Sequence, residues 1–270
     1  MKTVDDYIEK IAYAIDLRQK EVDGGRITKE QIDTIASYPD AKSIQISGLD
    51  QDTFEYFIDK YGERFQAISF WKNKRVKDLS KLSRLREVEY IRFFHNQYVK
   101  ELWDLSQNTK LKVLALYDMT KLRSISGLER ARSLEVFDLG NYTWGTMEID
   151  SLKPLVNSNV KCFAWYGKKV KDGDFLCLAK SKIKVLDMNV STFSMGDLAK
   201  ILAAFPENLE GKVTKPYIEC TVQEKGDFTT LWYLCKHKGR YVKGSDDALF
   251  EKYLASFRKL LEKERARRKG

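Results

Sequence analysis

The sequence predicts an α/β solenoid, a stack of short repeats instead of a chain folded about one globular core. Three observations predict it. One apolar frame is written three times, as Phe65/Ile68/Phe70, Val88/Ile91/Phe93 and Leu111/Leu114/Leu116. A second apolar set follows each frame at constant offsets: Val76/Leu79/Leu82, Val99/Leu102/Leu105 and Leu122/Ile125/Leu128. The period is fixed, 23 residues from Ile68 to Ile91 and 23 from Ile91 to Leu114. Self-similarity at a period in the twenties means units that bury their apolar faces only against their neighbours.

The chain starts with an expected amphipathic helix over residues 3–22, where Val4, Tyr7, Ile8, Ile11, Ile15 and Val22 recur at helical spacing. Asp23-Gly24-Gly25 ends it, and a short helix over about 28–37 follows, with Ile32 and Ile35 turned inward. A solenoid's first unit has an open edge, so residues 1–40 read as a helical cap, or else as a separate partner-binding helix. The frame then extends beyond its three clearest copies. Aligned on the second apolar position, the units centre on Ile44, Ile68, Ile91, Leu114, Phe137, Phe163 and Leu186, with steps of 24, 23, 23, 23, 26 and 23. The first unit carries a longer helix, TFEYFIDKYGERF, and the 26-residue unit carries the insertion NYTWGT at 141–146.

The stretches Val76-x-Asp78-Leu79-x-x-Leu82-x-x-Leu85 and Val99-x-x-Leu102-x-x-Leu105 resemble the return segments of leucine-rich repeats of the bacterial, internalin-like type. The resemblance covers roughly residues 41–209. It implies a curved parallel sheet of about seven repeats, with short strands on the concave face and short helices or 3₁₀ turns on the convex face, and a role in protein recognition. Asn73 and Asn96 match the family's asparagine, which hydrogen-bonds turn backbone along the stack. Met119, Tyr142, Lys168 and Ser191 stand at that position in later units, so the ladder is expected to be partial.

The pattern changes after Pro206. Residues 41–211 therefore read as the solenoid and 212–270 as a C-terminal α+β cap or a small module. Alternation in Tyr217–Val222, Thr229–Cys235 and Arg240–Lys243, with turn signals at 224–227 and 237–239, predicts an antiparallel meander. Ser245 is the expected N-cap of a terminal helix burying Leu249, Phe250, Tyr253, Leu254, Phe257, Leu260 and Leu261.

Composition bounds the function. Net charge is +9, and residues 258–270 alone hold seven Lys/Arg against two Glu. That local excess supports nucleic-acid binding through Arg258, Lys259, Arg265, Arg267 and Arg268 as the alternative function. No apolar run approaches the roughly 18 residues a membrane span needs. The N-terminus lacks the pattern of a signal peptide, which leads to the expectation of a cytoplasmic protein. Cys162, Cys177, Cys220 and Cys235 form no C-x-x-C pair and read as buried thiols, with no metal or cofactor expected. His95, at a strand-to-turn position, reads as solvated or capping. No catalytic motif is present, so no enzyme is expected.

Candidate binding residues come from the positions between the apolar ones, which point to the concave face. Trp71, Phe94 and Tyr117 fall on consecutive strands, with Tyr90 beside them, Arg92 at the centre and Tyr166 further along. A contiguous aromatic patch is a recognition surface, unless part of the chain covers it or the rings act only as cross-strand stabilisers. Arg92 offers a charge-assisted hydrogen bond to an acidic group on a protein partner.

Overall fold

Parallel pairing in a computed structural model aligns Ile44, Ile68, Ile91, Leu114, Phe137 and Phe163 across successive strands, the same column that the repeat frame defines. The described residues are 2–7, 11–20, 25–224 and 227–269. The chain divides into two compact units, residues 4–183 and residues 184–270 together with 1–3.

In residues 4–183 the strands are β1 (Ile15–Leu17), β2 (Ser43–Ser47), β3 (Ala67–Trp71), β4 (Tyr90–Asn96), β5 (Val113–Met119), β6 (Val136–Gly140) and β8 (Cys162–Tyr166), hydrogen-bonded in that order. A small parallel pair, β7 (Glu148–Ile149) and β9 (Lys169–Val170), lies outside this sheet. Helix α1 (Lys29–Asp33) is closed by a capping box, with Thr28 accepting from the Gln31 N–H and Gln31 reaching back to the Thr28 N–H. Helix α2 (Gln51–Tyr61) is the long return segment of the first unit and buries Phe54, Phe57 and Ile58. Later returns are 3₁₀ turns such as Ser80–Arg84 and Leu105–Gln107. The core is a stack of rungs, and Phe70 and Phe93 lie face to face within it at 4.4 Å and 15°.

The N-terminal helix expected over 3–22 does not form where the chain is described. Val4–Tyr7 is a 3₁₀ turn and Ile15–Leu17 is a strand; residues 8–10 and 21–24, which include the expected helix end, lie outside the described residues. The competing force is the open edge of β2. Its backbone groups need partners, and Ile15, Asp16 and Leu17 supply them in parallel register with Ile44, Gln45 and Ile46. Ser43 and Ser47 accept from the Ala14 and Gln19 N–H groups at 2.9 and 2.8 Å. A β-branched residue already facing a sheet gains more from the ladder than from an isolated helical turn.

The asparagine ladder forms in the early rungs. Asn73 accepts from the Leu49 N–H (2.8 Å) and donates to the Ile46 carbonyl (3.0 Å). Asn96 donates to the Asn73 and Val76 carbonyls and accepts from Tyr98 and Val99. Met119 is simply buried, and in the next unit Asn141, one position earlier than expected, accepts from Met147 and donates to the Tyr166 carbonyl.

In the other unit, β10 (Val185–Met188) bonds to the turn at Glu210, and Gly211 passes so close that a Cβ would lie 2.1 Å from the Leu186 carbonyl oxygen. Helix α3 (Met195–Ala204) is capped by Ser194. Strands β11 (Tyr217–Glu224), β12 (Asp227–Leu234) and β13 (Arg240–Val242) form an antiparallel meander, whose first turn includes residues outside the described set. Helix α4 (Asp247–Lys269) begins with the Phe250 N–H bonding to the Asp246 carbonyl, so Asp246, not Ser245, is its cap residue. Trp232 stacks on Phe250 at 3.8 Å and 8°, and the Tyr253 hydroxyl donates to the Pro216 carbonyl. Leu249, expected to be buried, is 52% exposed: it lies off the stripe that carries Phe250, Tyr253 and Phe257 inward. Cys220 is also exposed, on the outer face of β11, while Cys162, Cys177 and Cys235 are buried; all four are free.

Candidate functional site

Strand register puts Trp71, Phe94, Tyr117, Gly140 and Tyr166 in one row. Parallel strands about 4.8 Å apart bring such side chains into contact by construction. The Trp71 and Phe94 rings stack at 6.5 Å and 24°. Gly140 interrupts the row: a Cβ there would lie 2.6 Å from the Tyr166 Cβ, so glycine is what lets β6 and β8 close at that point.

The face of the sheet that carries this row is only partly open. Val136, Asp138, Cys162 and Ala164 point away from the core yet are buried, and the Val4–Tyr7 turn packs on β6 and β8. Tyr90 is buried with Tyr13 beside it, and desolvation pushes its phenol well above the usual range. Tyr117 donates to an Asp138 oxygen at 2.5 Å, and burial, then the Asp138 charge, holds its proton on. The Arg92 guanidinium sits over the Tyr117 ring at 5.4 Å. At the far end the Arg18 guanidinium lies 5.8 Å from the Trp71 ring centre. Trp71, Arg92, Phe94, Tyr117 and Tyr166 therefore keep part of their surface, while Tyr90 is buried.

The insertion at 141–146 completes the row, a role its position next to the Trp71–Phe94–Tyr117 column would have signalled had the extra tyrosine and tryptophan been placed against that column. Tyr142 crosses Phe94 at 6.1 Å and 84° and packs on Tyr117 at 5.6 Å. It remains 73% exposed. Trp144 covers the His95 ring at 4.1 Å. His95 is accordingly buried, not solvated, at 4% exposure; burial, with Lys74 and Lys72 nearby, favours its neutral form.

Asp118 holds this insertion in place. The carboxylate is fully buried, and it accepts from the Tyr142 N–H at 3.0 Å, the Thr143 N–H at 2.8 Å and the Trp144 N–H at 3.1 Å. Its backbone is left-handed, φ 52°. Asp118→Gly keeps that conformation and removes the acceptor. Stability in urea is expected to fall by about 2 kcal/mol, the cost of stranding donors away from water, with Trp144 emission shifting toward that of a solvated indole.

The basic C-terminal residues lie on the second half of α4. Arg258 and Lys259 are exposed, Arg265 approaches Glu207 at 3.6 Å, Arg267 approaches Glu264 at 3.3 Å, and Arg268 donates to the Lys200 carbonyl. Among the described residues there is no cluster of three metal-ligating side chains and no helix long and apolar enough to cross a membrane.

No protein-family model matches the chain, and no curated protein matches it. Among solved structures, an internalin (inlF) from Listeria monocytogenes superposes at 15% identity with a TM-score of 0.28, over 66% of this chain and 61% of that one. The chain thus spans less than two thirds of that internalin.

Proposed function

We propose that the protein is a non-enzymatic binding module that takes a protein partner on the aromatic strip formed by Trp71, Phe94 and Tyr117, with Tyr90, Arg92 and Tyr166 shaping its floor and flanks. The observation that carries this reading is Tyr142. A ring that is 73% exposed stands at the meeting point of Phe94 and Tyr117, and its backbone is pinned by a buried carboxylate. Rigid, solvent-facing aromatic groups over an apolar bed are the usual anchors of protein interfaces, because little side-chain entropy remains to be lost on binding.

The test is capture of partners from an extract of the source cell with immobilised wild type and with Trp71→Ala/Tyr142→Ala, both verified as folded by circular dichroism. A partner held through this strip is lost from the double variant, with affinity falling about 30-fold or more, since each anchor contributes on the order of 1–2 kcal/mol or more. Equal recovery of every bound protein by the two chains would remove the strip from the binding surface.

A further inference from the structure

Charge is balanced unevenly around the sheet in residues 4–183. On the edge where strands enter, lysines are neutralised by glutamates one rung away: Lys110 by Glu87 at 2.5 Å, Lys112 by Glu89 at 2.6 Å and Lys161 by Glu135 at 2.6 Å. On the edge where strands leave, Lys168 and Lys171 are paired with Glu148 and Asp150, whereas Lys72, Lys74, Arg75, Lys77, Lys100 and Lys121 make no ion pair among the described residues. Two of these positions lie in register as like charges: Lys100 and Arg123 are bonded neighbours through their backbones, while Lys74 bonds in the same way to the neutral Gln97. Like charges held one strand apart repel one another and cost stability, so this edge is poised to gain from an anion.

Two adjoining grooves of about 260 and 500 Å³ run along it, sharing Lys74 and Gln97. Their described lining includes five cations, Lys72, Lys74, Arg75, Lys121 and Arg123, and no carboxylate. Two flat rings stand over the grooves, Tyr98 at 48% exposure and Trp144 at 40%. Beneath Trp144 the buried His95 also faces the second groove, and its Nδ1 has no hydrogen-bond partner.

The cations do not converge on one point, as a site for a single phosphate would require. They form two groups, Lys72, Lys74 and Arg75 after β3 and Lys121 and Arg123 after β5, two rungs and so roughly 10 Å apart, with rings interleaved. A basic track with stacking platforms is the arrangement that fits a strand of phosphates carrying unpaired bases. We propose that the strand-exit edge, from Lys72 to Trp144, binds single-stranded nucleic acid. These cations are not those of the terminal helix, where Arg265, Arg267 and Arg268 already contact protein oxygens, and the proposal does not depend on the protein-binding strip.

The experiment is fluorescence anisotropy of the full chain with a labelled 15-nucleotide oligo(dT), titrated at 50 and at 200 mM salt. If about four phosphates are neutralised, affinity falls about 50-fold between the two salt concentrations. Lys74→Gln/Lys121→Gln weakens binding and reduces that salt effect to about 7-fold, because two of the four contacts are gone. Trp144→Ala weakens binding roughly fivefold or more through lost stacking. Arg258→Gln/Lys259→Gln/Arg265→Gln on α4 leaves it unchanged. Urea unfolding of each variant establishes that the fold is retained. The proposal is overturned by absence of binding at 50 mM salt, by loss of binding only in the α4 variant, or by polyglutamate competing as well as unlabelled oligo(dT), which would assign the edge to acidic proteins.

Discussion

Phe93→Ala is expected to destabilise residues 4–183 by about 3–5 kcal/mol, the range for truncating a buried aromatic residue. The ring is 1% exposed and stacks on Phe70 at 4.4 Å. In a rung-by-rung core the cavity has walls on two neighbouring strands, β3 and β5, whose backbones are fixed by parallel hydrogen bonds and collapse poorly into the space. Phe93→Leu keeps most of the volume and costs less than half as much. Urea unfolding followed by circular dichroism measures both. A loss under 1 kcal/mol for the alanine variant, within the ordinary scatter of surface changes, would mean that the rungs do not share a continuous core.

Asn96→Ala is expected to cost about 3–4 kcal/mol, comparable to a core truncation although hardly any apolar surface is lost. The side chain makes four hydrogen bonds to backbone, two donated to the Asn73 and Val76 carbonyls and two accepted from the Tyr98 and Val99 N–H groups. All four partners belong to the turns between rungs, and removing the amide strands them in a region where Asn73, Val76 and Val99 are themselves buried. Asn96→Asp retains the acceptor and loses the donor, so it falls between wild type and alanine. The effect reads out in the urea midpoint and in faster amide exchange at Tyr98 and Val99. Protection unchanged at those two amides in the alanine variant would sink the argument.

These two residues also mark what is legible in a single sequence. Asn96 is found through the resemblance to leucine-rich repeats, which implies an asparagine at its position. Phe93 is found from the period alone, because a repeat superimposes three copies of each position and leaves the column's chemistry in view. Column register follows for the same reason, and the pairing from Ile44 to Phe163 reproduces it. The N-terminal segment is not legible. Its apolar spacing satisfies a helix, but the unfilled edge of β2 is a property of the assembled sheet, invisible in the spacing of residues 3–22. Leu249 fails for a smaller reason: helical spacing places it near the buried stripe, and only the packing of Trp232 on Phe250 decides where that stripe lies.

The candidate site divides similarly. Trp71, Phe94 and Tyr117 emerge from the frame as a row. Asp118, Tyr142 and Trp144 do not, since an insertion has no counterpart in other copies against which to read it. The fold of the insertion depends on one carboxylate whose partners are backbone N–H groups of residues 142–144, and backbone donors leave no trace in the identity of a side chain. The unpaired cations on the strand-exit edge are likewise present in the sequence, but only the position of each carboxylate relative to each cation separates a paired charge from an unpaired one.

Four successive strands end in the left-handed region at equivalent positions: Gly48 (φ 73°), Lys72 (53°), His95 (63°) and Asp118 (52°). Only the first is glycine, the residue for which that conformation is free of strain. The other three are a cation, an imidazole and a carboxylate on one backbone geometry, each bearing roughly 1 kcal/mol or more of local penalty. The scaffold therefore holds a row of interchangeable sockets. A side chain placed in any of them leaves the strand along the same vector and appears one strand spacing from its neighbour. For protein engineering this is a ready-made pegboard: Lys72 is the one of the three that is neither buried nor holding an insertion, so new chemistry can be introduced there first with the backbone left as it is.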